Sequence, residues 1–186
     1  MAKRELPPRE ALYPVPVVLV SCSDKDARRT NIITIAWCGV ISSDPPLLSV
    51  SIRPSRHSHR LITETKDFVI NIPTAAMLKK VDHCGLVSGK ETDKFAECSF
   101  TPLNSKKTVS RAIEECPVNI ECRLKRSVSL GAHDMFIGEV VLVRVDESIL
   151  GKDGAIDYKK ADPIVYNQGE YWNLGNNIGR YGCSLK

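Results

Sequence analysis

The run Thr30-Asn31-Ile32-Ile33-Thr34-Ile35-Ala36-Trp37 combines the composition of a β-strand with groups that can do chemistry. β-Branched residues dominate it, as on a pleated surface, yet it carries an amide, two hydroxyls and an indole. Polar groups cost free energy when buried unpaired, so their presence points to a partner. Strict alternation puts Asn31, Ile33, Ile35 and Trp37 on one face and Thr30, Ile32, Thr34 and Ala36 on the other. An amide and a large aromatic on one face suit a flat, partly polar ring. Taken alone, the same residues read more simply as a core Trp37 and a turn Asn31. If Thr34 and Trp37 touch one ligand together, the strand must bulge or twist, or Thr34 must contribute its backbone.

The elements that must hold this strand are written in the same periodicities. Val15 to Cys22 is apolar and β-branched, and Asp24-Lys25-Asp26 offers a turn before a second strand from Thr30 to Ile41. Ser43-Asp44-Pro45-Pro46 interrupts, because proline cannot donate to a ladder. Leu47 to Arg53 alternates as a third strand, and His57 to Lys66 reads as a short helix with Leu61 and Ile62 inward. Phe68 to Ile72 is a fourth strand, stopped by Pro73. Thr74 is the expected N-cap of a helix through about Cys84, and a loop from Ser88-Gly89-Lys90 leads to Asp93-Lys94-Phe95. Pro117 to Leu130 and His133 to Val145 are long alternating runs separated by Gly131-Ala132, which predicts a β-hairpin. Six strands with few helices predict a mainly β, antiparallel barrel rather than a doubly wound sheet.

Composition narrows the function classes. The 186 residues fit one domain with the first ten as an extended arm. The net charge of +4 is spread over separate basic pairs with acids nearby, which argues against a nucleic-acid surface. The N-terminal residues lack an apolar secretory core and no apolar run is long enough to span a bilayer, so the expected location is the cytoplasm, with no membrane partner. Seven cysteines, none in a Cys-x-x-Cys pair, read as free, mostly buried thiols in a reducing compartment. Gly85 to Glu91 falls one spacer short of a P-loop and has Glu91 where a hydroxyl must reach magnesium. Gly175, Gly179 and Gly182 have the wrong spacing for a dinucleotide fingerprint. His57-Ser58-His59 and His83-Cys84 lack a further ligand pair at metal spacing, so no metal is expected. There is no nucleophile elbow.

The ordered set of motifs resembles the flavin reductase-like, FMN-binding split-barrel family, in its flavoredoxin branch. Thr30 to Trp37, Asp44-Pro45-Pro46 and Ser51-Ile52-Arg53-Pro54 carry the resemblance first. Phe68-Val69-Ile70-Asn71-Ile72-Pro73, Ser88-Gly89 with Asp93-Lys94-Phe95, Gly131-Ala132-His133-Asp134 and Gly138-Glu139-Val140 follow in order. Asp162-Pro163-Ile164-Val165-Tyr166 and Tyr171-Trp172 with Leu174-Gly175 complete it, so that residues 10–182 are covered.

The resemblance implies a six-stranded split barrel of Greek-key type with peripheral helices, and a homodimer with FMN near the subunit interface. It places Asn31, Thr34, Ala36 and Trp37 on the flavin-contacting strand, with Ser51 and Ile52 in the adjoining motif. Arg53 and Ser58, with Arg56, match the phosphate region, where a guanidinium fork and a hydroxyl beside a helix start suit a dianion. Arg56 reads equally well as a surface charge. Lys94 and His133 match positions near the flavin ring, where a cation would stabilise reduced flavin, and Tyr166 matches an aromatic beside it. Without the resemblance, a solvated Lys94 and a turn-capping His133 serve as well. The implied activity is NAD(P)H:flavin oxidoreductase or flavoredoxin-like electron transfer. Hydride would pass from NADH or NADPH to flavin N5, and electrons would then pass to a small-molecule or protein acceptor. A non-catalytic FMN carrier is the alternative within the fold, and a barrel binding module without redox chemistry the alternative outside it.

Overall fold

In the computed structural model, which describes residues 1–185, seven strands form one antiparallel sheet. They are β1 (Val18–Ser23), β2 (Thr30–Ile35), β3 (Cys38–Ser43), β4 (Pro46–Ile52), β5 (Asp67–Ile72), β6 (Val118–Ser129) and β7 (Asp134–Val145). Their order across the sheet is β2-β1-β5-β6-β7-β4-β3. Consecutive strands β2 and β3 therefore lie at opposite edges, although only Ala36 and Trp37 join them. Three Cα steps cover at most about 11 Å, so the two edges must meet and the sheet must roll into a barrel. The backbone N–H of Ser51 on β4 donates to the Trp37 carbonyl at 2.8 Å, which extends the β3–β4 ladder back to the point where the chain leaves β2. The gap between the two edges is the split of a split barrel.

The expected single strand from Thr30 to Ile41 is thus two strands. Its break falls at Ala36-Trp37, where Cys38 N–H turns back to the Ala36 carbonyl at 3.0 Å. The physical reason is closure: the chain must leave one sheet edge and join the other. That break also makes the principal sheet seven-stranded rather than six-stranded.

The barrel interior is filled by alternate residues of the strands, among them Val18, Val20, Ile33, Val50, Ile52, Phe68 and Phe136. Helix α1 (His57–Thr65) adds Leu61 and Ile62 to this core, each buried side chain contributing about 1.5–3 kcal/mol. Gly138 lies where β7 shifts register against β6. A Cβ there would meet Phe68 Cζ at 2.6 Å and Cys122 Cβ at 2.9 Å, so glycine lets Phe68 fill the barrel.

Helices α2 (Leu78–Leu86) and α3 (Lys94–Glu97) cover the outer face of β2 and β1. Ile32, Leu19, Val81, Cys84, Phe95 and Cys98 pack there. Because both its faces are covered, β1 is buried along its whole length. Thr74 does not cap α2 as expected. It forms a bridge to Pro163, and a 3₁₀ turn at Ala75–Met77 precedes the helix. Asp93, where the expected loop ends, caps α3 by accepting from Phe95 N–H at 3.0 Å and Ala96 N–H at 3.3 Å.

A C-terminal hairpin, β8 (Ile164–Asn167) and β9 (Glu170–Asn173), pairs with Val15–Pro16 in a second sheet. It carries Tyr166 and Tyr171 to the split. Residues 1–14 form no helix or strand. No helix among the described residues is long and apolar enough to cross a membrane.

Candidate functional site

A cleft of about 330 Å³ opens at the split, within the size range of small-molecule sites. Thr34, Ala36, Trp37, Ser51, Ile52, Arg53, Arg56, His133 and Tyr166, all expected from sequence, line it. Asn31, Ile33 and Ile35 share one face, as the alternation predicts: Ile33 and Ile35 enter the barrel core. Thr34 faces the other way, its hydroxyl donating to the Val81 carbonyl of α2. No bulge within β2 is needed for Thr34 to reach the cleft. As an edge strand, β2 is open along one side, so a ligand lying against it meets both faces.

The wide end of the cleft is aromatic. The rings of Trp37 and His133 are parallel to within 6°, with centroids 6.4 Å apart, and Tyr166 flanks Trp37 at 6.2 Å. Such flat faces favour a further planar ring. Sequence reasoning missed two groups here. Asp82 of α2 accepts a hydrogen bond from the Tyr171 hydroxyl at 3.0 Å, and both line the cleft. Burial and the Asp82 carboxylate push the Tyr171 phenol up to about 12, so it remains a donor. The only available signal was Tyr171-Trp172 in the motif series.

The other end is cationic. A cavity of about 270 Å³ shares Ile33, Arg53 and Arg56 with the cleft and adds Lys94, His57, Ser88 and Gly89. Lys94 is only 3% exposed. Its ammonium donates at 2.7 Å to the carbonyls of Ile32 and Cys84, leaving one of three N–H groups for the cavity. Burial holds its pKa below the usual lysine range, and Arg56 opposes the charge further. Among the described residues, Arg53, Arg56 and Lys94 make no ion pair. The Arg53 Nε–H donates to His133 Nε2 at 3.4 Å, which links the cationic end to the aromatic wall.

Two expected contact residues lie beneath the surface. Asn31 and Ser58 are buried, and the amide of Asn31 donates to the Ser58 hydroxyl at 2.7 Å. A Cβ on Gly89 would lie 1.9 Å from Asn31 Oδ1, so the Ser88-Gly89 turn rests directly on this amide. Neither Asn31 nor Ser58 lines the cleft or the cationic cavity; they hold β2, α1 and the turn together under it. Lys94 belongs to the cationic cavity rather than to the aromatic cleft, where His133 stands. Burial pushes the thiols of Cys22, Cys38, Cys84 and Cys122 up to about 12, which keeps them protonated and weakly nucleophilic.

Residues 10–175 match the family described as the flavin reductase like domain. A protein of Archaeoglobus fulgidus is 37% identical over 152 residues, covering 81% of this chain and 83% of its own. Flavoredoxin of Desulfovibrio vulgaris (Miyazaki F) has a TM-score of 0.92 at 36% identity, with 100% of both chains covered. Flavoredoxin from Methanosarcina acetivorans has a TM-score of 0.88 at 30% identity, covering 99% of this chain and 100% of its own. With the split barrel, its cleft and these likenesses in agreement, the chain belongs to the flavin reductase-like family, in its flavoredoxin branch.

Proposed function

We propose that this protein binds FMN in the split and acts as a flavin-dependent oxidoreductase of the NAD(P)H:flavin reductase or flavoredoxin type. One observation carries the reading: an aromatic cleft and a cationic cavity lined by no acidic side chain are joined through Ile33, Arg53 and Arg56. FMN has the matching anatomy, a flat ring at one end and a phosphate at the other. The unused N–H of Lys94 and the unpaired guanidinium groups of Arg53 and Arg56 fit the phosphate end, while Trp37, His133 and Tyr166 fit the ring.

Bound FMN supplies hydride and single-electron chemistry, using NADH or NADPH as donor. The chain's own residues position and tune. Trp37 and His133 would stack against its ring, and the cations would favour negative charge in a partly desolvated site. Thr34 and Asp82 shape the side of the cleft nearest α2. No side chain is required to act as a general acid or base.

The apolar surface beside the cleft supports a homodimer. Val40 is 79% exposed and Ile41 46% on the edge strand β3, next to a half-exposed Trp37. A second copy laid on this edge would cover them and close one side of the flavin site. The acceptor is a small molecule or a protein partner, and the protonated thiols fit a reducing, cytoplasmic setting.

The test is flavin uptake. Purified protein should be yellow, or should quench the fluorescence of added FMN with saturation at one FMN per chain. A colourless protein that takes up no FMN overturns the proposal. Anaerobic bleaching by NADH or NADPH supports the reductase; bound FMN that neither nucleotide bleaches favours the electron carrier.

A further inference from the structure

The cleft and the cationic cavity are lined by the basic residues Arg53, Arg56, Lys94, His57 and His133 and by a single acid, Asp82. Asp82 is half-buried and makes no ion pair among the described residues. An unpaired carboxylate stands out in a lining otherwise suited to an anion.

The fold imposes its position from two sides. Asp82, Gly85 and Leu86 have the i, i+3, i+4 spacing that shares one face of α2, and all three line the cleft. The helix lies close on β2 here: the Thr34 hydroxyl donates to the Val81 carbonyl, and a Cβ on Gly85 would lie 3.3 Å from Thr34 Cβ. From the far side, the Tyr171 hydroxyl donates to Asp82 Oδ1 at 3.0 Å. Tyr171 is itself braced. It pairs with Tyr166 across the β8–β9 hairpin, and the two rings meet edge to face with centroids 6.0 Å apart. Tyr166 in turn flanks Trp37 on the aromatic wall. The carboxylate is therefore held at the ring end of the site, whereas Lys94 lies at the other end.

We infer that Asp82, held in place by Tyr171, lowers the reduction potential of the bound flavin by opposing the negative charge that the ring gains on reduction. The inference rests on the FMN reading of the site and names a residue that tunes it. The phosphate carries the same charge whether the flavin is oxidised or reduced, so the cations beside it strengthen binding of both forms. A fixed carboxylate beside the ring instead acts on the difference between the forms, and it weakens the reduced one selectively. The bound flavin is then a stronger reductant toward its acceptor. Tyr171 is a positioning residue, because it acts through the carboxylate it holds.

The experiment measures dissociation constants for oxidised FMN and, anaerobically after dithionite, for reduced FMN, together with the potential of bound FMN against a reference dye. Wild type is compared with Asp82→Asn, Tyr171→Phe and the double variant, with thermal midpoints checking the fold. Asp82→Asn keeps an oxygen for the Tyr171 hydroxyl and removes only the charge. It should tighten reduced FMN about tenfold and change oxidised FMN less than twofold, which corresponds to a rise of about 30 mV in the two-electron potential. Tyr171→Phe should shift the ratio in the same direction by less, and should add nothing once Asp82 is Asn. Glu114→Gln, which removes an exposed acid lining neither the cleft nor the cavity, should leave the ratio unchanged. The inference is overturned if Asp82→Asn leaves the ratio unchanged or favours the oxidised form, if both constants change in parallel, or if Glu114→Gln gives the same shift. An equal effect of Tyr171→Phe with and without the Asp82 charge would overturn the role of Tyr171. A wild type that binds FMN in neither state would instead sink the proposed function.

Discussion

In the middle of the sheet, Asp67, Asn71, Asn119 and Glu121 are buried polar residues that each make two or more side-chain hydrogen bonds; at the split, Arg53, Arg56 and Lys94 are cations that make no ion pair among the described residues. Asp67 accepts from the N–H groups of Val109 and Ser110 at 2.7 and 3.1 Å. Glu121, wholly buried, accepts from Lys106 and Lys107 N–H at 3.0 and 2.7 Å and faces Arg144 at 3.5 Å. Asn71 donates to the Leu19 carbonyl and the Ser21 hydroxyl, and accepts from Ile113 N–H and Asn119. These groups pin the segment before β6 to the barrel wall. The contrast separates two uses of buried polarity. Carboxylates and amides held by backbone hydrogen bonds stabilise the fold, while cations with no acid beside them suit an anionic ligand.

The sharpest way to break this comparison is to remove one group from each side. Glu121→Ala leaves two backbone donors and Arg144 without their acceptor, and should cost about 3 kcal/mol. The expected readout is a large drop in thermal midpoint with unchanged FMN affinity in the folded protein. Unchanged stability would show that the network is not structural.

Lys94→Met should do the reverse. Removing an uncompensated buried cation offsets the loss of its two carbonyl contacts, so the midpoint should move little. FMN affinity should fall ten- to a hundredfold, about 1.4–2.8 kcal/mol. The pH dependence has a definite sign. Lys94 titrates below the usual lysine range in the flavin-free protein, so the fold gains stability as pH rises through that depressed value. An anion bound beside the ammonium raises its pKa again. FMN affinity must therefore weaken as pH rises through the flavin-free titration. A pH series of titrations should show this limb in the wild type and not in Lys94→Met.

Arg53→Ala should have a smaller and more selective effect. Removing this guanidinium is expected to weaken FMN about tenfold and riboflavin, which lacks the phosphate, less than threefold, as for one charge-assisted contact. Equal losses for both ligands would move Arg53 from the phosphate to the ring, beside His133.

How much of this was legible depended on whether the cause was local. The strand pattern of β2, the β6–β7 hairpin and the inward Leu61 and Ile62 are written in short-range periodicity. The break at Ala36-Trp37 is not, because it arises from closing β2 and β3 onto opposite sheet edges. Local alternation therefore extended the strand to Ile41. The Asp82–Tyr171 contact joins residues 89 positions apart, and no spacing rule could pair them. Lys94 was visible only through the family's motif. Its burial depends on carbonyls that β2 and α2 bring to it. Asn31 was read as a ligand contact because its polarity was visible and its partner, Ser58, was not.

The smallest effect concerns that amide and sharpens the boundary between the two kinds of site. Asn31→Ala leaves the buried Ser58 hydroxyl without its donor at 2.7 Å and should cost about 1–2 kcal/mol of stability. FMN affinity should fall less than threefold, because Asn31 supports the cavity from below. The support has a geometric signature. Gly89→Ala places a methyl carbon 1.9 Å from Asn31 Oδ1 in the wild type, a clash that Asn31→Ala removes. The two substitutions together should therefore be less destabilising than the sum of the two alone, with a coupling of about 1 kcal/mol or more in a double-mutant cycle. Strict additivity would detach the Ser88-Gly89 turn from Asn31. A loss of FMN affinity on Asn31→Ala as large as that of Lys94→Met would instead return the amide to direct contact with the flavin, as its place on the strand first suggested.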